Sequence, residues 1–127
     1  MHNIKPELVP AILQVLDEEP QQCRAALSTG PGCYCFEGVI AEALCRLYPD
    51  RFRWTYIGNE RTLLWNEIPA GAGTLWRRAL AEITIGLDED GDPQQPMLHG
   101  VLLWVLNDNL GKDFAWFREQ LTTPAPN

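Results

Sequence analysis

Apolar side chains recur at helical spacing in several stretches of the chain. The clearest stretch begins at Phe36, with apolar residues at i, i+3, i+4, i+7, i+8 and i+11. Pro10 fits a helix only in its first turn, where the missing N–H costs nothing, and Thr74 is a typical N-terminal capping residue. The whole pattern predicts about five helices, over residues 7–18, 35–48, 74–86, 98–106 and 113–121.

Between the second and third predicted helices the pattern changes to a period of two. Residues 52–57 carry aromatic side chains at every second position, and residues 62–65 are again mostly apolar. The residues 58–61, Gly-Asn-Glu-Arg, form a plausible turn, so we expect one β-hairpin here. The predicted fold is α+β, about five helices with one β-hairpin, packed in layers as a single domain over 1–121 with a disordered tail over 122–127.

The chain is acidic, which narrows the classes of partner. It has 127 residues, 46% of them apolar, and 17 Asp and Glu against 10 Lys and Arg, for a formal charge of −7. Such a charge repels phosphate, so we expect no nucleic-acid partner and no docking to anionic membranes, whereas a basic protein partner suits it. No apolar run is long enough to span a bilayer and the first residues do not resemble a signal peptide, so we expect a cytoplasmic location.

The four cysteines raise the question of a metal site. Structural zinc sites use paired C-x₂₋₄-C ligands, and only Cys33 and Cys35 are close in sequence, with one residue between them. On one continuous helix Cys35 and Cys45 would be about 15 Å apart, too far for a shared zinc or a disulfide. A set of Cys23, Cys33 and Cys35 with His99 is the remaining metal hypothesis. We expect buried thiols instead, with no metal and no cofactor.

A cysteine nucleophile is the main catalytic hypothesis. Cys35 would lie at a helix N-terminus, where the helix dipole lowers the pKa of a thiol, although Cys33 is equally eligible. His99 is the only interior histidine and the candidate base. Asn107 or Asp108 could orient it. Nothing in the sequence brings these residues together, so a cysteine-dependent hydrolase or transferase is an alternative, and we favour a non-enzymatic protein.

Two further stretches resemble ligand-binding motifs and lack their essential residues. Residues 88–92 are acidic like a calcium loop, but the sixth position is Pro93 where Gly is needed and the twelfth is His99 where Glu is needed. A solvated acidic turn is the better interpretation. The last two predicted helices could form a helix-turn-helix, but residues 114–119 contain one basic side chain and several large apolar ones, which is not typical of a recognition helix.

The aromatic residues suggest either a rich core or a binding surface. An exposed aromatic patch ringed by carboxylates would mark a protein-binding face, and a tryptophan-rich core is the equal alternative. A third hypothesis is a small-molecule or nucleotide sponge, with Arg61, Arg77 or Arg78 facing a cleft between subunits. The candidate aromatic residues are Trp54, Tyr56, Trp65, Trp76, Trp104 and Trp116.

Two elements resemble a family of small uncharacterised proteins from phages, prophages and bacteria. Residues 34–42, Y-C-F-E-G-V-I-A-E, resemble that family's Y-C-C-L-G-V-L-C-E segment. Residues 86–88, G-L-D, and 106–114, with L-N-D before G-K-D-F, resemble its G-L-D element and its L-N-D-x-G-x-x-F ending, with one extra residue before Gly111. The resemblance implies a phage-type accessory protein and transfers no activity or site residue. The leading expectation is therefore a small acidic protein-binding module, such as a phage-encoded modulator of a host protein.

Overall fold

The structure, a computed structural model, describes residues 2–24, 28–69 and 79–122. These residues form four α-helices and three small β-sheets. The helices are α1 (Val9–Asp17), α2 (Phe36–Leu47), α3 (Leu103–Asp108) and α4 (Phe114–Thr122). The strands are β1 (Gln21–Gln22), β2 (Ser28–Gly30), β3 (Cys33–Tyr34), β4 (Phe52–Ile57), β5 (Glu60–Trp65), β6 (Ile68–Pro69), β7 (Met97–Leu98) and β8 (Val101–Leu102).

The sheets have simple topologies. The first has the order β1-β3-β2, with β1 parallel and β2 antiparallel to β3. The second, β4-β5-β6, is an antiparallel meander, and β7 with β8 forms an isolated hairpin. Short 3-10 turns at Pro6–Leu8 and Leu80–Glu82 complete the described elements.

The α+β class agrees with the expectation, but the prediction of about five helices with one β-hairpin is wrong. In the segment predicted as a helix over 98–106, the described chain forms the β7–β8 hairpin before α3 begins at Leu103. His99 and Gly100 have φ angles of 51° and 77°, a left-handed conformation that no α-helix can contain. The apolar run therefore reverses direction once before it becomes helical.

The other predicted elements agree more closely with the described chain. The α2 helix lies inside the predicted 35–48, and Pro10 does fall in the first turn of α1. The predicted hairpin is present, with β5 beginning at Glu60 because its turn has two residues. The third predicted helix is wrong over 80–86, where Leu80–Glu82 is a short 3-10 turn and Thr84 forms a β-bridge with Ile4, and its residues 74–78 lie outside the described residues. Thr122 of the predicted tail belongs to α4, and 123–127 lie outside the described residues.

One hydrophobic cluster draws on nearly every described element. Ile4 near the beginning of the described chain and Leu121 near its end are both buried in it. At its centre Phe36 stacks on Phe117, with ring centroids 4.5 Å apart, so that α4 covers the beginning of α2. Within the described ranges, no helix is long and apolar enough to cross a bilayer.

Candidate functional site

The side chain of Asn107 joins three parts of the fold at the N-terminus of α2. It is fully buried. Its Oδ1 accepts from the Phe36 N–H at 3.1 Å and from Gln22 Nε2 at 2.8 Å. Its Nδ2 donates to the Cys23 carbonyl at 3.0 Å and to Asp108 Oδ1 at 2.7 Å. Two acceptor and two donor bonds fill the capacity of an amide, so Asn107 holds α3 against α2 and β1.

Cys35 caps α2 and is poorly suited to act as a nucleophile. Its Sγ accepts from the Gly38 N–H at 3.3 Å, the usual bond of an N-terminal cap. Burial raises the pKa of the Cys35 thiol to about 12, with smaller contributions from Glu37 and Cys23, although the Gly38 N–H acts in the opposite direction. The helix terminus therefore does not activate this sulfur, because desolvation outweighs it. At neutral pH the thiol keeps its proton.

The candidate base, His99, lies in the turn between β7 and β8. His99 is exposed, and its Nε2 is 2.6 Å from Gln120 Oε1 of α4. Asp108, the candidate orienting residue, accepts from Asn107 Nδ2 at 2.7 Å. The Cys35 sulfur, by contrast, is bonded to the backbone of α2 at Gly38.

Trp54 and Arg61 form an internal stack between the β4–β5 hairpin and the rest of the fold. Trp54 stacks on Tyr34 with ring centroids 6.2 Å apart, and its Nε1 donates to Glu42 Oε1 at 2.9 Å. The Arg61 guanidinium lies 4.6 Å from the Trp54 ring and donates to Ser28 Oγ at 2.8 Å. These bonds use Arg61 within the protein, so it does not present an open cationic fork to a ligand.

Of the remaining aromatic candidates that the structure describes, two are half-buried and two are exposed. Trp65 and Trp116 are half-buried against the hydrophobic cluster, and Trp116 stacks on Phe36. Tyr56 and Trp104 are 57% and 43% exposed and lie on β4 and α3. Trp76, Arg77 and Arg78 lie outside the described residues.

A concave region, which we call the acidic cleft, is built around residues 88–92. Asp88 Oδ1 accepts from the N–H groups of Asp90 at 2.9 Å and Asp92 at 3.0 Å, which closes the loop on itself. Leu87 pairs with Pro93 across its base. The cleft has a volume of about 300 Å³ and is lined by Leu80, Asp88, Asp90, Asp92, Pro93, Gln94, Gln95, Met97 and Leu102.

The floor of the acidic cleft is apolar and its rim is negative. Met97 and Leu102 are cross-strand partners in the β7–β8 hairpin, and buried Leu80 also lines the cleft. Asn3 anchors this wall, because its Oδ1 accepts from the Met97 N–H at 2.8 Å. The sequence indicates the acidic turn but not the cleft, because Leu80 and Leu102 fall within two of the predicted helices. The available signal was His-Gly at 99–100, a pair able to make a tight turn.

Asp88, Asp90 and Asp92 give the rim three carboxylates, and Asp88 Oδ1 is already bonded within the loop. In the described part of the chain, no ion pair involves these aspartates, and the described lining residues include no Lys, Arg or His. No group of three or more His, Cys, Asp and Glu within the described ranges is arranged to hold a metal ion. The cleft therefore offers negative charge above an apolar surface.

Comparison of the chain with protein-family models, with curated proteins and with solved structures finds no match.

Proposed function

We propose that the protein is a non-enzymatic, acidic protein-binding module that takes a basic segment of a partner protein in the acidic cleft. The observation that carries this proposal is the combination of an apolar floor with three carboxylates and, among the described lining residues, no basic side chain. Lys and Arg side chains match this combination, because they have an aliphatic stem and a cationic head. The stem would lie on Met97 and Leu102 and the head would meet the aspartates.

The surroundings of the cleft also suit a protein partner. Leu87, which pairs with Pro93 at the edge of the cleft, is 64% exposed and extends the apolar surface. The net charge of −7 would accelerate the encounter with a positively charged surface. Each exposed ion pair contributes only about 0–1 kcal/mol, so several contacts are needed for a stable complex.

Binding is favoured over the two other functions considered. The protonated, buried thiol of Cys35 argues against a cysteine nucleophile, and the internal bonds of Arg61 argue against nucleotide capture. The resemblance of residues 34–42 and 106–114 to small phage proteins supports a further proposal, that the partner is a protein of the phage host.

The experiment uses the full chain, labelled with ¹⁵N, and a peptide in which lysines alternate with leucines. We expect amide shifts concentrated in residues 87–102 and an affinity that falls with added salt. Replacing Asp90 and Asp92 by Asn should weaken binding about tenfold, since two ion pairs of up to about 1 kcal/mol each are lost.

The matched control is the double change Asp50→Asn with Glu60→Gln. It removes two charges at exposed positions outside the cleft lining and should leave the affinity nearly unchanged. Equal weakening in both double variants would mean that the peptide responds to net charge alone. Shifts centred away from residues 87–102 would place the binding surface elsewhere.

A further inference from the structure

Two cysteine sulfurs converge on one threonine in the first sheet. Cys33 Sγ accepts from Thr29 Oγ1 at 3.1 Å. The Cys23 sulfur is hydrogen-bonded to the Cys33 thiol and to the backbone N–H of Thr29. The backbones are also joined, because β1 pairs with β3 with Gln21 opposite Cys33, and the Cys23 N–H donates to the Tyr34 carbonyl at 2.9 Å.

This thiol pair, Cys23 and Cys33, differs from the other two cysteines because its two sulfurs are adjacent. Cys23, Cys33 and Cys45 are all half-exposed, and none of the four cysteines is in a disulfide. Cys35 is buried with its sulfur bonded to Gly38, and burial raises the pKa of the Cys35 and Cys45 thiols to about 12. An external reagent therefore meets a pair of adjacent thiols at one place, and two slowly reacting thiols elsewhere.

We propose that Cys23 and Cys33 form a site of reversible thiol modification, at which a low-molecular-weight disulfide such as oxidised glutathione converts the pair into an intramolecular disulfide. The Cys33 thiolate attacks one sulfur of the glutathione disulfide, forms a mixed disulfide and releases one glutathione thiolate. Cys23 then loses its proton to solvent, attacks Cys33 Sγ and expels the second glutathione thiolate. Overall the two protein thiols lose two protons and two electrons, and one glutathione disulfide takes them up to become two glutathione thiols.

The order of attack follows from the contacts of each sulfur. Thr29 Oγ1 donates to Cys33 Sγ and holds this half-exposed sulfur beside Cys23. Burial raises the pKa of Cys23 to about 11, and the neighbouring Cys33 adds to this rise. Cys23 is therefore the weaker first nucleophile and is positioned to act second, when Cys33 carries the mixed disulfide beside it.

The Cys23–Cys33 disulfide would constrain the segment that carries the hydrogen-bond partner of Arg61. It would close the segment 24–32, which contains β2 and the Ser28 hydroxyl that accepts from Arg61 at 2.8 Å. A cross-link between chain segments stabilises a fold by restricting the unfolded chain. Oxidised protein should consequently melt at a higher temperature than reduced protein.

The test treats the reduced full chain with oxidised glutathione at about pH 8, where ordinary thiols are partly ionised, and then blocks the remaining thiols with iodoacetamide. The expected product has lost two hydrogens, carries two alkyl groups instead of four, and retains no glutathione. Trypsin cuts after Arg24 and Arg46, so Cys23 should appear cross-linked to the 25–46 peptide, with fragmentation placing the bond at Cys33.

Three variants separate the possible outcomes. Cys33→Ser should yield no internal disulfide, Thr29→Val should slow the loss of the two hydrogens, and Cys45→Ser should behave like the original chain. A bond from Cys23 to Cys35, a stable glutathione adduct without a cross-link, or four alkylated cysteines after treatment would each overturn the proposal.

Discussion

At the residue scale, Cys35 occupies a position that Ser, Thr, Asp or Asn usually fills. It is the N-terminal cap of α2, and its sulfur receives the Gly38 N–H. An oxygen would make the stronger bond, but it would have to lie in an apolar environment, since Cys35 is only 7% exposed. The thiol can accept the Gly38 N–H and can also be buried among apolar side chains, because it is a weak acceptor with little cost of burial.

The raised pKa of Cys35 predicts a loss of stability in alkali. An unfolded thiol has an ordinary pKa of 9.0, whereas the folded thiol has a pKa of about 12. The contribution of the neutral thiol is complete below pH 9 and is lost as the pH rises from 9 to 12, because the unfolded state releases its proton first. The free energy of unfolding should fall by roughly 2 kcal/mol at about pH 10.5 from this group alone.

The comparison for this prediction is Cys35→Ser, which retains a cap and cannot ionise. It should match the original chain within about 1 kcal/mol near neutral pH and lose less stability in alkali, as measured by urea denaturation at both pH values. Identical alkaline slopes for the two proteins would contradict a buried, neutral Cys35.

The sequence could place Cys35 at a helix start but could not reveal its surroundings. The apolar period begins at Phe36, so the local pattern indicates the helix boundary. The residue that fixes this boundary is Asn107, 71 positions beyond Phe36. A contact at that separation leaves no periodic signal in one sequence, so the sequence could not show that Cys35 is buried and that its thiol pKa is raised.

At the element scale, three two-residue turns set the geometry of the hairpins. Gly58 has a φ of 62°, as the first residue of a type II′ turn requires. Asn66 with Glu67, and His99 with Gly100, have positive φ at both positions, which defines type I′ turns. These primed turns match the twist of the strands they join and allow strands as short as two residues.

Gly100 is the position where this geometry depends most on the absence of a side chain. Its φ is 77°, and a Cβ there would meet no atom within 4 Å, so the effect of Ala is conformational strain alone. We expect Gly100→Ala to lower the free energy of unfolding by about 1–2 kcal/mol. At Gly30 an added Cβ would also meet no atom within 4 Å, and φ is not positive, so Gly30→Ala should lower the free energy of unfolding by less. Equal losses in chemical denaturation would contradict the type I′ turn.

Only one of these hairpins was predictable from periodicity. In the β4–β5 hairpin Gly58 and Asn59 interrupt two alternating runs, so the turn is visible. The β7–β8 hairpin lies in an apolar run, where strand and helix look alike. The floor of the acidic cleft was therefore missed, although the acidic rim at 88–92 was evident in the sequence.

At the scale of the whole molecule, a single cluster joins distant parts of the chain. Phe117 of α4 is fully buried and lies against Phe36 of α2. Ile4 belongs to the same cluster. The described elements therefore share their largest apolar contacts, and one domain over 1–121 stays a prediction.

Removing Phe117 should weaken the whole fold rather than one end. We expect Phe117→Ala to lower the free energy of unfolding by about 3–5 kcal/mol. The urea midpoint measured by tryptophan fluorescence should fall by the same amount as the midpoint measured by far-ultraviolet circular dichroism. Trp104→Ala on α3 is the aromatic control, and its 43% exposed side chain should cost much less. Two separate transitions would show that α4 unfolds independently and would contradict a single cooperative domain.

The hydrogen bonds of Asn107 also constrain the order in which parts of the chain can fold during synthesis. The partner of the Phe36 N–H and of the Cys23 carbonyl is the side-chain amide of Asn107. This residue is translated 71 residues after Phe36 and 84 residues after Cys23. A nascent chain that has not yet exposed position 107 can form α2 locally but cannot lock its beginning against β1. Final closure of this region therefore requires that position 107 has already left the ribosome.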